Sequence, residues 1–348
     1  IGDAVESVAV QGRGVVTFNN IALAEGSDSA SDTFNLNGAA SSLRELSGRG
    51  GDDVFAVVAT SEVRMTIDGG GHTDGDKLVG ANRANNWLFA LSADDDANTL
   101  NWNSAEGAGI DFSNIEDFTG GTGADNFEVR NANIVSTLWG ASEGFTEIAT
   151  DTLHVTNAAT WSISGDNEGS VSSGYVSDFN SIENLTGSDS NDIFNFTAIT
   201  ASISGLIDGG AGTNDQLDLQ VFTAGVVVEL GATAIPGSIV EDASDLPNVN
   251  AWQFESITAA HKDPKNGENN NWLAIAHGDD VQWDMDVGGQ NEGIVRSIES
   301  ADAEPVVAIA GTDSHFYHFG SIQAGVGDED TNLDPDSDIT GEYREGSG

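Results

Sequence analysis

A corner that returns about every 22 residues constrains this chain more than any other feature of its sequence. Between Ile182 and Leu219 two copies follow one another, each a short apolar run, a Gly/Ser/Asp corner, and an aspartate two residues ahead of a large apolar side chain. The first corner opens at Gly187 and leads to Asp192 and Phe194. The second opens at Gly209 and leads to Asp215 and Leu217, offsets of 22, 23 and 23 residues. A unit this short cannot bury its own apolar face, so its copies have to stack on one another.

The same device runs through much of the chain. The pattern Ile-x-x-Leu-Thr-Gly-x-x-x-x-Asp-x-Phe is shared by Leu43 to Phe55, Ile115 to Phe127 and Ile182 to Phe194, with a copy one residue longer from Ile21 to Phe34. A Phe-x-x-Ile element precedes three of these copies, at Phe18-Ile21, Phe112-Ile115 and Phe179-Ile182, and recurs at Phe254-Ile257 and Phe319-Ile322. Corners align at Gly26, Gly48, Gly69, Ser92, Gly120, Gly140, Gly165, Gly187, Gly209 and Gly231. The matching apolar positions are Phe34, Phe55, Leu78, Leu100, Phe127, Leu153, Val171, Phe194 and Leu217, expected to form one interior column at a strand spacing of ~4.8 Å.

Short β-rich runs punctuated by Gly, Asn, Asp and Ser read as strands and turns. Helix fails as a competitor, because glycine recurs in every window and no stretch sustains a 3.6-residue apolar period. A propeller blade needs roughly 40–50 residues. The expected fold is therefore all-β: a right-handed parallel β-helix, or β-solenoid, with rungs of about 22 residues and a less regular C-terminal part. All five prolines lie beyond residue 235, where a continuous ladder would lose donors. The expected division is a regular solenoid over 1–231, an insertion or loop region over 232–270, degenerate rungs over 271–324 and an acidic tail over 325–348.

Eleven Lys and Arg stand against 57 Asp and Glu, a formal net charge of −46, which argues against nucleic acid and anionic membranes as partners. No apolar run approaches the ~20 residues of a membrane-spanning helix, and the absence of cysteine excludes disulfides and thiolate sites. The chain opens at Ile1, as a processed chain or a segment of something longer would.

Carboxylates are the natural metal ligands in such a sequence. Stacking is expected to bring Asp53 near Asp76, Asp125 near Asp151, and Asp192 near Asp215, one rung apart. Carboxylates ~5 Å apart repel unless water or a cation intervenes. Two readings stay open: each aspartate caps its own turn through a local hydrogen bond, or Ca²⁺ sits at one or more corners. In the tail, Asp334, Asp336, Asp338, Glu342 and Glu345 fall at positions 1, 3, 5, 9 and 12 of an EF-hand-like loop, with Ile339 where that loop has glycine. A solvated acidic tail is the alternative there.

The corner Gly120-Gly121-Thr122-Gly123-Ala124-Asp125-Asn126-Phe127 resembles the GGxGxDxUx nonapeptide of the secreted RTX proteins, and Gly48 to Phe55 resembles it with one substitution. That resemblance implies Ca²⁺ held between turns, although here the motif never runs in tandem. Taken with IENLTGSDSNDIF, IDGGAGTNDQLDL and WSISGDNEGSV, the repeats resemble the β-solenoid repeats of large secreted bacterial surface proteins, the adhesin and filamentous haemagglutinin-like group. The resemblance implies an extracellular or cell-surface structural segment without catalytic activity, self-associating into a filament or continuing in a larger chain, with surface glycans as possible partners.

The alternative is a carbohydrate-binding or carbohydrate-cleaving β-helix. Gly51-Asp52-Asp53 and His277-Gly278-Asp279-Asp280 invite comparison with the pectin-active hydrolases of that architecture. The Arg-x-Lys segment of those enzymes has no counterpart, and Gly71-His72-Thr73 lacks the second glycine of their Gly-His-Gly.

Overall fold

The structure is a computed structural model. It describes residues 22–36, 43–57, 65–90, 98–100, 109–130, 137–141, 149–172, 175–210, 215–219 and 221 with their side chains, and otherwise strand backbone from Glu6–Val10 to Tyr343–Arg344. The described residues are all-β, with strands in two mostly parallel sheets. Among them no helix is long and apolar enough to cross a membrane. The chain divides into two compact units, 1–156 with 170–183, and 157–169 with 184–348.

In the first unit the chain passes back and forth between the sheets. Leu23–Glu25, Glu45–Ser47, Met65–Asp68 and Ile110–Ser113 pair in parallel in one sheet, placing Ala24, Leu46, Ile67 and Phe112 side by side. Thr33–Leu36, Val54–Val57, Lys77–Val79, Asp117–Gly121, Ile134–Ala141 and Val176–Asn180 do the same in the other, aligning Phe34, Phe55, Leu78, Phe118, Leu138 and Phe179. Alternate side chains along these strands are buried, as in Val54–Val57, where Phe55 and Val57 point inward. That alternation is what a half-buried strand requires. Stacked neighbours keep the strand spacing: the rings of Phe34 and Phe55 lie 5.0 Å apart and 3° from parallel.

The expected single column does not hold. Phe34, Phe55 and Leu78 are consecutive neighbours, but Leu100, Phe127 and Leu153 belong to the other sheet. After Lys77–Val79 the chain runs through Asn86–Ala90, Thr99–Asn101 and Ile110–Ser113 as an antiparallel meander within one sheet. The segment between Leu78 and Phe118 thus carries three strands that fold back on one another within a single sheet. Leu100 faces Trp87 across this meander, and Trp87 then aligns with Phe127 and Leu153. The Asp-x-Phe corner that follows, at Asp125 and Phe127, consequently feeds the opposite sheet from its predecessors.

The meander also fills the interior. Trp87, Phe89, Phe112, Phe118 and Phe127 form one aromatic cluster, with Phe89 and Phe118 edge to face at 4.8 Å and Trp87 and Phe127 stacked at 5.6 Å. Phe118 comes from one sheet and the other four from its partner, so the cluster ties the two sheets together.

The Phe-x-x-Ile element has a physical cause. In Phe112-Ser113-Asn114-Ile115 and Phe179-Asn180-Ser181-Ile182 the phenylalanine enters the core and the third residue turns left-handed, at φ 51° and 56°. Asn114 offsets part of that cost by donating from Nδ2 to Asp68 Oδ1 at 2.7 Å. The turned carbonyls of Asn114 and Ser181 press on Gly69 and Gly140, where a Cβ would collide with them.

The second unit repeats the plan. Thr160–Gly165, Ile193–Phe196, Gln216–Asp218, Ala259–His261 and Ser314–Tyr317 pair in parallel, aligning Trp161, Phe194, Leu217, Ala260 and Phe316. In its other sheet Asn184–Thr186, Leu206–Asp208 and Trp252–Glu255 are parallel, after which Gly237–Glu241 and Val226–Leu230 run antiparallel before parallel pairing resumes at Trp272–Ile275. Strands therefore occur inside 232–270, at Gly237–Glu241, Trp252–Glu255 and Ala259–His261.

Candidate functional site

The aspartates singled out by their spacing are buried, and they form ladders. In the first, the backbone N–H of Asp32 donates to Asp53 Oδ1, that of Asp53 to Asp76 Oδ1, and that of Asp76 to Glu116 Oε2, at 2.7, 2.7 and 2.9 Å. In the second, the N–H groups of Asn85, Asp125 and Asp151 donate to Asp125 Oδ1, Asp151 Oδ1 and Glu183 Oε2, at 2.7, 2.7 and 2.8 Å. In the second unit, Ala159 N–H donates to Asp192 Oδ1 and Asp192 N–H to Asp215 Oδ1, both at 2.7 Å. Each acid thus satisfies a backbone donor at the neighbouring corner, 21 to 40 residues earlier in the sequence.

The spacing expectation of one-rung neighbours agrees with this geometry: Asp53 meets Asp76, Asp125 meets Asp151, and Asp192 meets Asp215. The bond itself differs from a local cap. A corner leaves the N–H of its aspartate pointing along the stack, and a carboxylate from the following rung is the group within reach. The second oxygen does turn back to its own corner at two places: Ser27 N–H donates to Asp32 Oδ2 at 2.6 Å, and Ser188 N–H and Oγ–H both donate to Asp192 Oδ2 at 2.8 Å. Asn85 stands at a ladder position as a neutral member, its Nδ2 donating to the carbonyls of Ala81 and Gly120.

Corner glycines follow from the same packing. A Cβ on Gly48 would strike the Asp53 carboxylate and the Gly69 carbonyl, and one on Gly120 would strike the Asp125 carboxylate and the Gly140 carbonyl. The glycine-to-aspartate spacing of the motif is the spacing at which a bare Cα accepts a folded-back carboxylate.

Burial raises four of the ladder acids, Asp53, Asp76, Glu116 and Asp215. Desolvation pushes the Asp215 carboxyl up to about 6, with the Asp192 N–H bond opposing and the charges of Asp192 and Asp208 adding to the rise. Asp53 rises to about 6 for the same principal reason, and Asp76 and Glu116 are also raised by burial. Part-exposed Asp52 goes the other way, lowered by the backbone N–H groups of Asp74, Thr73 and Gly75, which point at its Oδ1.

A raised folded-state value means that the folded chain holds a proton which the unfolded chain has already released. For Asp215 this contribution is fully present below about 4 and lost as pH rises through about 6. Asp215→Asn keeps an oxygen that can accept from Asp192 N–H and removes the buried charge. The variant is expected to be more stable than the parent at pH 8, by roughly 1–3 kcal/mol, and no more stable at pH 4. Denaturant melts at both pH values check this.

The first ladder ends in a group of different chemistry. Asp76, Glu116 and His72 place their ligand atoms within 4.8 Å of one another. His72 Nδ1 is 3.0 Å from Glu116 Oε2 and 3.8 Å from Asp76 Oδ2. Neither His72 nor Glu116 is among the metal candidates that spacing selects, since His72 reads there as part of an incomplete Gly-His-Gly. A signal for Glu116 does exist, because Ile115-Glu116 and Ile182-Glu183 place a glutamate identically and each ends a ladder.

Trp87 and Trp161 are buried core residues, stacked on Phe127 and Phe194. The tail candidates Asp334, Asp336, Asp338, Glu342 and Glu345 lie outside the described residues, as do His277 to Asp280. No family model, curated protein or solved structure matches the chain.

Proposed function

We propose that this chain is a non-catalytic structural segment of a bacterial extracellular filament, matrix fibre or adhesin, its sheets wound as a right-handed parallel β-helix. The observation that carries the reading is the ladder: side-chain hydrogen bonds run along the stacking direction from rung to rung and make each rung complete only on the next. Parallel strands joined by crossovers favour the right-handed winding. A stack of this kind offers unpaired strand edges wherever it is not capped, so end-to-end association, or continuation in a larger chain, is the expected use.

Calcium is the cation proposed to accompany it. Its support is the net charge of −46 and the buried Oδ2 oxygen of Asp53, which has no hydrogen-bond partner. Electron microscopy of the purified protein should show rods or fibres in millimolar Ca²⁺, and a chelator should shorten them or lower the melting temperature. Compact particles at every concentration, with a melt indifferent to Ca²⁺, would remove the proposal. Depolymerisation of a polysaccharide by the purified chain would favour the carbohydrate-active alternative.

A further inference from the structure

We infer that His72, Asp76 and Glu116 form a binding site for one divalent transition-metal ion of the zinc class, at the end of the first acid ladder. The donor set is one imidazole nitrogen and two carboxylate oxygens. A tetrahedral ion about 2.1 Å from each donor would separate them by roughly 3.4 Å. The observed separations from His72 Nδ1, 3.0 Å to Glu116 and 3.8 Å to Asp76, lie on either side of that value.

A second observation points to a ligand independently of the clustering. Asp76 is fully buried, and its Oδ1 is spent on the Asp53 N–H. Its Oδ2 makes no hydrogen bond and faces the imidazole at 3.8 Å, too far for one. A buried carboxylate oxygen left in that state is costly until a proton or a cation completes it; Asp53 Oδ2 is in the same state, and what sets Asp76 apart is the imidazole nitrogen beside it. The side chains of His72 and Glu116 are 33% and 19% exposed, so the cluster is open to solvent on one side and an ion has an entry path. The corner carrying His72 is held in place by Asp52, which accepts from Thr73 and Asp74 N–H at 2.7 and 2.8 Å.

The chemistry selects the ion class. Ca²⁺ prefers six to eight oxygens at longer range, whereas a mixed imidazole and carboxylate set at short range suits Zn²⁺, Co²⁺ or Mn²⁺. The second ladder supplies a contrast within the same chain. Asp151 and Glu183 meet there as Asp76 and Glu116 do, and no histidine occurs in the sequence between Gly140 and Asp151. An ion bound at the first ladder would cross-link a corner at 72–76 to residue 116, across the whole inserted meander. The site is independent of the filament reading and would survive its failure.

The test is titration of the full chain with Zn²⁺ alone in buffer containing millimolar Ca²⁺, which occupies nonspecific carboxylates, with Co²⁺ absorption reporting coordination. One ion per chain is expected, together with a melting temperature raised by about 5 °C at saturation and visible Co²⁺ bands of four-coordinate character. His72→Ala removes the contact of a part-exposed imidazole with Glu116, so its metal-free melt should lie within a few degrees of the parent's, and the readout is the loss of the Zn²⁺-dependent gain. It should bind Zn²⁺ at least tenfold more weakly and lose the thermal gain. His154→Ala should change neither. Equal Zn²⁺ binding by the parent and His72→Ala, or no binding above the Ca²⁺ background, would overturn the site and leave a plain hydrogen bond between His72 and Glu116.

Discussion

Trp87→Ala is expected to cost about 3–5 kcal/mol of unfolding free energy and to melt the first unit well below the parent. Trp87 is fully packed between the sheets, with Phe89 and Phe127 stacked on it and Phe112 and Phe118 meeting it edge-on at 6.3 and 6.0 Å. Alanine would leave a cavity walled by four aromatic rings that belong to both sheets and cannot collapse without shifting strand registers. Trp87→Phe separates the causes. The indole Nε1 is buried without a hydrogen-bond partner, so phenylalanine removes volume but also an unsatisfied donor. Its expected cost is below about 1.5 kcal/mol. Comparable losses from both variants in denaturant melts would show that the cluster does not bear the stability assigned to it.

Gly120→Ala is the second large effect. The new methyl would meet the Asp125 carboxylate and the Gly140 backbone carbonyl, the latter 2.5 Å away. A carboxylate can rotate, but the carbonyl belongs to the neighbouring corner and is fixed by its sheet. About 3 kcal/mol of destabilisation is expected, with Asp125 displaced from the Asn85 N–H it caps. Gly71→Ala is the matched control. Its nearest non-neighbouring atom would be the Arg49 carbonyl at 3.7 Å, ordinary contact distance, and it should stay within about 0.5 kcal/mol of the parent. Equal melts for the two alanine variants would show that corner glycines serve the turn and not the carboxylate.

How far the sequence announces these features depends on the kind of interaction. The corner spacing is legible because two local requirements coincide in it, a bare Cα at Gly48 or Gly120 and a carboxylate five residues on at Asp53 or Asp125. Adjacency of Asp53 to Asp76 and of Asp192 to Asp215 follows from that spacing alone. The donor each acid satisfies is not legible, since a local cap and a cap on the previous rung use the same residues.

The column fails at Leu100 because periodicity locates turns but does not say whether a strand returns parallel or antiparallel. A hint is present: the corner interval stretches from about 22 residues to 28 between Ser92 and Gly120. His72 is hidden for another reason. It reaches Glu116 across 44 residues through the meander, and no regular interval connects the two.

The meander has a further consequence for how such a chain can vary. Leu78 and Phe118 are hydrogen-bonded neighbours although 40 positions separate them, so the chain leaves one sheet and rejoins it with no gap. Material spliced into that detour adds strands to one sheet only, and the next strand of the other sheet still pairs with the strand that preceded the detour. Variants of different length can therefore share a common spine, provided that they gain or lose whole out-and-back excursions and not single residues.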